Sequence, residues 1–265
     1  MFSGRVNDPQ EIEQLLGLPV SAAIPHSTDQ KRLPAQVYGG VRKVPVFPHD
    51  TISDSAIESL RGFRTSLQFA MRNAKNNVVM ITGPTSGVGK SFVSANFSAV
   101  LAAFGNRVLL IDGDLRTGHL HRYFGVERKN GLSDAIHAKT ASDPVIHKNV
   151  VDNVDFISTG CLPAKPAELL AHTNLGRLLE QVATHYDFVL IDTAPVLAAS
   201  DALVIGAHAG TIINIVRGGL STVSEIEETI KRLNQAGYTV TVTVFNDLKP
   251  RYARYGYGMS YGKYR

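Results

Sequence analysis

The stretch VVMITGPTSGVGKSFVSANFSAV, residues 78–100, decides the fold of this chain. Residues 78–82 are almost entirely apolar, which is typical of a buried β-strand. Residues 83–89 are rich in glycine, which permits the backbone angles of a tight turn. Apolar residues recur at helical spacing after Lys90, so the stretch predicts a strand, a glycine-rich turn and an amphipathic helix.

The turn has the composition of a phosphate-binding loop. In a P-loop, backbone N–H groups wrap the phosphates, a lysine reaches the β- and γ-phosphates, and a hydroxyl ligates magnesium. The strict pattern G-x-x-x-x-G-K-S would require a glycine at Pro84, and the chain has Gly83 one residue earlier. The predicted nucleotide-binding residues are Gly87, Val88, Gly89, Lys90, Ser91, Phe92 and, beyond the next strand, Arg116.

Two further apolar strands end in acidic residues. LLIDGDLR places Asp112 and Asp114 after one strand, with Arg116 just beyond, and FVLIDTAP places Asp192 after another. The carboxyl ends of parallel strands share one edge of the sheet, where ligands bind. We therefore expect the three carboxylates to converge on the P-loop, although an aspartate in this position is often only a helix cap.

The alternation of short apolar strands with helical segments predicts the architecture. Strands are expected at 78–82, 107–111, 154–157, 188–191, 211–216 and 240–245. Strands that are apolar on both faces form parallel sheets covered by helices. The fold class is therefore α/β, a P-loop NTPase with a mostly parallel twisted sheet and helices on both faces.

The first part of the chain is organised differently. Asp8 as N-cap, Pro9 at the first helical position and Gly17 as the stop predict a short helix, followed by a strand over 18–24. Residues 26–56 lack periodicity and are expected to form an irregular connection. A long helix is expected over 57–73, with Ile57, Leu60, Arg64, Leu67 and Met71 on one face.

The segment 250–265 has an unusual composition. RYARYGYGMSYGKYR, residues 251–265, holds five tyrosines, three glycines and four basic residues, but no acid. Its glycines interrupt any regular period, so we expect a flexible tail. The whole chain carries a net charge of +4, and five basic residues lie between 249 and 265. The rest is nearly neutral, which argues against a nucleic-acid partner.

Other bulk properties limit the class of protein. The chain has 265 residues, 44% of them hydrophobic, which is ample for a buried core. Its only cysteine, Cys161, excludes an internal disulfide and suggests a reducing compartment. No apolar run is long enough for a membrane span, and no signal peptide is recognisable, so the fragment is expected to be soluble.

These motifs together resemble those of the bacterial tyrosine kinases. Residues 83–91 resemble their Walker A motif, LLIDGDLR their Walker A′ motif and VLIDTAP their Walker B motif. ESLRGFR, with Glu58, Arg61 and Arg64, is similar to the E-x-x-R-x-x-R signature of the helix through which these kinases form rings. The tyrosine-rich tail also resembles theirs. The family usually reads D-T-P-P in Walker B, where this chain has Ala194.

The resemblance implies a catalytic role for four residues, with ATP as substrate and Mg²⁺ as cofactor. Lys90 would bind the β- and γ-phosphates, and Asp192 would hold magnesium together with Ser91. Asp112 would be the base nearest the attacking tyrosine and Asp114 would support magnesium, but these two assignments are exchangeable. The implied metal-site residues are therefore Ser91, Asp112, Asp114 and Asp192.

The resemblance also implies substrates and partners. The phosphate acceptors would be Tyr252, Tyr255, Tyr257, Tyr261 and Tyr264, phosphorylated in trans within a homo-oligomeric ring, an octamer. Residues 1–249 would form the kinase domain, with 1–56 as its membrane-side extension and 57–73 as its oligomerisation helix. The domain would lie at the cytoplasmic face of the bacterial inner membrane. Its partners would be its own transmembrane region, the capsule or exopolysaccharide assembly machinery and a protein-tyrosine phosphatase.

A different class of function stays open from sequence. The chain would then be a nucleotide-switch ATPase scaffold of the deviant Walker class, which grips a membrane or a partner through its basic aromatic tail. That class normally carries a second lysine early in the loop, and residues 84–88 hold none. The tail also contains tyrosine as its only aromatic residue, and a purely stacking role does not need hydroxyl groups.

Overall fold

The computed structural model describes residues 4–26, 55–137 and 146–249. Most of the irregular connection expected over 26–56 lies outside these residues. The whole segment 250–265 also lies outside them, and with it the five candidate acceptors Tyr252, Tyr255, Tyr257, Tyr261 and Tyr264.

One sheet runs through the described residues. Its strands are β1 (Val20–Pro25), β2 (Val78–Thr82), β3 (Val108–Asp112), β4 (Ile146–Val151), β5 (Val154–Ile157), β6 (Phe188–Asp192), β7 (Thr211–Arg217) and β8 (Val242–Leu248). The strand order is β1-β8-β7-β2-β6-β3-β5-β4. All neighbours are parallel except β4 and β5, which are antiparallel. The central strands are buried on both faces because their sequences are continuously apolar.

Helices cover both faces of the sheet. The described helices are α1 (Pro9–Leu16), α2 (Ser55–Ala70), α3 (Lys90–Ala103), α4 (His121–Phe124), α5 (Leu132–His137), α6 (Pro166–Leu170), α7 (Thr173–Ala183), α8 (Asp201–Gly206) and α9 (Val223–Gln235). Helices α2 and α3 pack on one face, and α5, α7 and α8 pack on the other. The predicted α/β class, with a mostly parallel sheet between two helical layers, is confirmed.

Several local predictions also agree with the structure. The Asp8 carboxylate accepts a hydrogen bond from the Gln10 N–H, and Gly17 ends α1 in the left-handed conformation. The long helix begins at Ser55 and ends at Ala70, and a 3₁₀ turn continues it over Met71–Asn73. No helix in the described part of the chain is both long and apolar enough to cross a membrane.

Two features differ from the sequence-based expectation. Strand β4 was not predicted, because its residues are half-buried or exposed at the sheet edge and do not form an apolar run. Helix α3 is buried nearly all round and is not amphipathic, because it lies between α2 and the sheet. Its polar residues Asn96 and Ser98 donate hydrogen bonds to carbonyls of the same helix, which satisfies them inside the core.

The packing of α2 on α3 gives a matched pair of tests on one helix. Phe63 is 1% exposed and its ring centroid lies 4.7 Å from that of Phe97, whereas Phe69 is 58% exposed. Phe63→Ala leaves a cavity and should lower the free energy of unfolding by about 3–5 kcal/mol. Phe69→Ala should cost less than about 1 kcal/mol. Chemical denaturation measures both, and equal losses would show that α2 does not pack as described.

Candidate active site

The loop between β2 and α3 owes its shape to its glycines. A Cβ on Gly83 would lie 2.5 Å from the carbonyl oxygen of Ile215 on β7, so this position accommodates only glycine. Gly87 and Gly89 have φ angles of 81° and 95°, in the left-handed region. The close approach to β7 explains why a glycine lies just before Pro84. The loop leads directly into the N-terminus of α3, a favourable place for a phosphate group.

Asp192 at the end of β6 is the centre of the site. Its carboxylate is 1% exposed and accepts hydrogen bonds from the Ser91 hydroxyl at 2.7 Å and the Ser94 hydroxyl at 3.0 Å. Sequence reasoning missed Ser94. Its signal was its position three residues after Ser91, which places both hydroxyls on one face of the helix.

The side chains of Lys90 and Asp192 influence each other electrostatically. Burial lowers the pKa of Lys90, although the charges of Asp192 and Asp114 act in the opposite direction. Burial raises the pKa of Asp192 to about 6, against the opposing effects of Lys90 and Ser91. A buried cation thus lies near buried carboxylates, where it is available to neutralise phosphate charge.

Asp112 lies opposite Asp192 in the β3–β6 register. It is 1% exposed and accepts a hydrogen bond from the Leu120 N–H at 3.0 Å. Burial raises its pKa well above the usual range for a carboxyl, and the charges of Asp192 and Asp114 raise it further. The predicted convergence of strand-end carboxylates at the P-loop is therefore present in the structure.

Asp114 is held by the loop that follows β3. One carboxylate oxygen accepts from the backbone N–H groups of Arg116 and Thr117, both at 3.1 Å, and the other accepts from the Thr117 hydroxyl at 2.8 Å. This Asx-type arrangement fixes the carboxylate without a cation of its own. Asp114 can therefore help to hold a metal ion without a large rearrangement of the loop.

The Arg116 side chain binds a residue that sequence reasoning missed. Its guanidinium donates two hydrogen bonds, each 2.9 Å long, to the carboxylate of Asp201 at the start of α8. Asp201 is fully buried, so this bidentate pair satisfies an otherwise costly charge. A role for Arg116 in phosphate binding stays a prediction, while the structure shows its link to α8.

Val88 and Phe92 were predicted to bind nucleotide, but their side chains belong to the hydrophobic core beneath the loop. Val88 is fully buried and Phe92 is 5% exposed. Any contact of these residues with phosphate would therefore use their backbone N–H groups. Their side chains anchor the loop and the first turn of α3 to the sheet.

The oxygen donors of the site suit a magnesium ion. Within the described residues, no three His, Cys, Asp or Glu side chains are grouped to hold a metal ion by themselves. Mg²⁺ usually takes one or two carboxylates and completes its shell with phosphate oxygens and water. The Ser91 hydroxyl beside the Asp192 carboxylate fits this requirement, with Asp112 or Asp114 as a further ligand.

Comparison with known proteins gives a family for this arrangement. A family model described as an AAA domain matches residues 76–241. The putative tyrosine-protein kinase EpsB of Ralstonia solanacearum is 47% identical over 262 residues, which is 99% of this chain and 35% of that protein. The chain therefore spans about a third of the length of this curated relative.

Two solved structures share the fold over nearly their whole length. The BceF tyrosine kinase domain is 41% identical, with a TM-score of 0.84, and the match covers 92% of this chain and 100% of that one. The kinase domain of the Escherichia coli tyrosine kinase ETK is 38% identical, also with a TM-score of 0.84, over 97% of this chain and 100% of that one.

The raised pKa of Asp112 predicts a pH-dependent gain in stability on its removal. The unfolded chain loses this proton at a lower pH than the folded protein, so Asp112 costs stability increasingly as pH rises from about 4. Asp112→Asn should keep the hydrogen bond from Leu120 and remove the buried charge. Its melting temperature should exceed that of the unmodified protein by at least about 2 °C at neutral pH, with a smaller difference near pH 4.

Asp187→Asn is the control with the opposite sign. A hydrogen bond from the Arg107 N–H lowers the pKa of this exposed carboxyl, so the ionised form stabilises the fold. Its replacement should lower the melting temperature at neutral pH and have less effect as the pH falls through the depressed pKa. If the difference in melting temperature between Asp112→Asn and the unmodified protein does not increase with pH, the described electrostatics are wrong.

Proposed function

This chain belongs to the bacterial tyrosine-protein kinases, and we propose that it is a catalytic domain that transfers the γ-phosphoryl group of ATP to tyrosine hydroxyls. The observation that carries this proposal is the contact of the Ser91 hydroxyl with the Asp192 carboxylate beside the buried Lys90. Phosphoryl transfer depends mainly on positioning and charge neutralisation. These three residues supply both at the end of the phosphate loop.

The roles of the site residues follow from their contacts. Lys90 would bind the β- and γ-phosphates, and Ser91 and Asp192 would hold Mg²⁺, which supplies further charge neutralisation when bound. Backbone N–H groups of the loop would bind the phosphates. The bond between the β,γ-bridging oxygen and the γ-phosphorus breaks, and a bond from the tyrosine oxygen to that phosphorus forms.

Asp112 would accept the proton of the attacking tyrosine hydroxyl. Its raised pKa makes this carboxylate a stronger base than an exposed aspartate. Asp114, which is held by the N–H groups of Arg116 and Thr117, would support the metal ion. Asp112→Asn should therefore reduce kcat more than it weakens binding of Mg²⁺. If the two aspartates exchange roles, the Asn variants of Asp112 and Asp114 would show the reverse pattern.

The acceptors would be the tyrosines at 252, 255, 257, 261 and 264 of a neighbouring copy. Strand β8 ends at Leu248, at the same edge of the sheet as the P-loop. Lys249, next in the chain, lies near Gly219 in the turn after β7. The chain therefore leaves the described fold on the side that carries the nucleotide site, which favours delivery of these residues to an active site.

Assembly into a ring would use Glu58, Arg61 and Arg64 of α2. Glu58 and Arg61 form an ion pair, and the Arg64 guanidinium lies 3.7 Å from the centroid of the Phe104 ring. Phe104 is 50% exposed, so this polar and aromatic cluster reaches the protein surface beside α2. A head-to-tail contact through such a surface closes into a ring if the rotation between neighbouring copies allows it. We propose an octamer, as in the kinases that this helix resembles.

We further propose that the domain is the catalytic part of a longer protein at the cytoplasmic face of the bacterial inner membrane. The chain covers 35% of EpsB, which supports the proposal that it is part of a longer protein. Cycles of phosphorylation and removal by a protein-tyrosine phosphatase would control capsule or exopolysaccharide synthesis and export. The protein's own transmembrane region would connect the ring to this machinery, and nucleic acid is not among the proposed partners.

Replacement of the P-loop lysine tests the activity. Lys90→Met should lower autophosphorylation by at least about 100-fold, because it removes the cation that meets the phosphates. The protein is first dephosphorylated, then incubated with ATP and Mg²⁺, and its phosphorylated residues are mapped by mass spectrometry. Lys231→Met, an exposed lysine on α9, is the matched control and should retain full activity. Absence of phosphate from all five tail tyrosines in the unmodified protein would contradict the proposal.

The ring is tested by sedimentation velocity. Arg61→Ala combined with Arg64→Ala should convert a large assembly into monomers, because both cations lie on the proposed contact surface. Arg177→Ala, on α7 at the opposite face of the sheet, should leave the assembly unchanged. A double variant that sediments like the unmodified ring would exclude Arg61 and Arg64 as interface residues.

A further inference from the structure

Two carbonyl groups of the phosphate loop are bound by side chains from neighbouring strands. The Arg217 guanidinium, at the end of β7, donates through Nη1 to the Gly87 carbonyl at 2.8 Å. The Asn246 amide, on β8, donates through Nδ2 to the Val88 carbonyl at 2.9 Å. The two bonds hold consecutive peptide groups just before Lys90.

These contacts fix the direction of the loop's N–H groups. The described chain has no cis peptide bond, and in a trans peptide the C=O and the following N–H point in opposite directions. The N–H of Val88 therefore points away from Arg217, and that of Gly89 points away from Asn246. Such N–H groups are the donors that bind phosphate in a P-loop.

Glycine makes this control necessary. Gly87 precedes the Val88 N–H, and Gly89 carries the second of these N–H groups. Glycine allows many backbone conformations at similar energy. The buried Val88 side chain anchors the loop but does not by itself set the direction of the two peptide groups. A hydrogen bond from a charged guanidinium is stronger than one between neutral groups, so it selects one orientation before nucleotide binds.

Arg217 is itself held in place. Its Nε and Nη2 each lie 3.0 Å from one carboxylate oxygen of Asp247, and the other oxygen of that carboxylate contacts His26. Asp247 is 5% exposed and adopts a φ of 63°, unusual for a residue other than glycine. This arrangement aims the remaining guanidinium nitrogen at Gly87. It also connects the loop to the ends of β1 and β8.

We propose that Arg217 and Asn246 are positioning residues that orient the Val88 and Gly89 N–H groups for phosphate binding. The proposal rests on the nucleotide site of the proposed function and is independent of tyrosine as the acceptor. It separates two contributions to the site. Lys90 supplies charge, and Arg217 and Asn246 supply the preorganised backbone donors.

The test measures affinity for a fluorescent ADP analogue, mant-ADP, in the presence of Mg²⁺. Arg217→Gln and Asn246→Asp each remove one hydrogen bond to the loop, and each should weaken binding about tenfold or more. Asn246→Asp is nearly isosteric, and it places an acceptor opposite the Val88 carbonyl. Arg107→Gln is the control, because Arg107 is exposed and paired with Asp187 at the opposite edge of the sheet. Its affinity for mant-ADP should stay within about twofold of that of the unmodified protein.

A second measurement separates positioning from general damage to the site. Adenosine carries no phosphate, so its ability to compete with mant-ADP should be nearly unchanged in the Arg217 and Asn246 variants, while ADP competes about tenfold less well. The melting temperature without nucleotide is recorded in parallel. If Arg217→Gln does not fold, Arg217→Lys, which keeps one donor but loses the two-point contact with Asp247, should show an intermediate loss for ADP.

Several results would overturn the inference. ADP affinity within about twofold of the unmodified protein in both variants would show that the two side chains do not set the phosphate donors. An equal loss for ADP and adenosine would show a structural role only. If the unmodified protein does not bind mant-ADP, the nucleotide site fails and this inference fails with it. Binding of ADP without tyrosine phosphorylation would refute the kinase proposal and leave this inference standing.

Discussion

The carboxylate of Asp192 joins helix α3, which follows the P-loop, to the sheet beneath it. Hydrogen bonds from Ser91 and Ser94 fix the first turn of α3 on the end of β6. Because β6 lies between β2 and β3, the same contact sets the P-loop against the strand that ends at Asp112. The convergence of Lys90, Ser91 and the strand-end carboxylates at this edge depends on these contacts of Asp192.

This arrangement brings like charges together at a cost to stability. Asp112 and Asp192 are buried and near Asp114, and burial raises the pKa of both buried groups. Lys90 offsets only part of the repulsion. A cluster of like charges of this kind favours the binding of cations.

The fold was largely predictable because its signals are local. The strands Val78–Thr82 and Val154–Ile157 have the bounds expected from their apolar runs. Strand β4 escaped prediction because an exposed edge strand carries no such signal. The motif aspartates were also found, but Asp201 and the contact of Arg217 with Gly87 were not. That contact joins residues 130 positions apart, and its existence depends on which strands are neighbours, which the local pattern does not encode.

The proposed kinase activity requires that this site directs the γ-phosphoryl group to tyrosine. A single-turnover experiment with radiolabelled ATP, the dephosphorylated protein and Mg²⁺ tests it most directly, by following the label into phosphotyrosine and into inorganic phosphate. Most of the transferred label should appear first as phosphotyrosine. Label that appears only as inorganic phosphate would contradict the kinase activity and favour a nucleotide-switch ATPase.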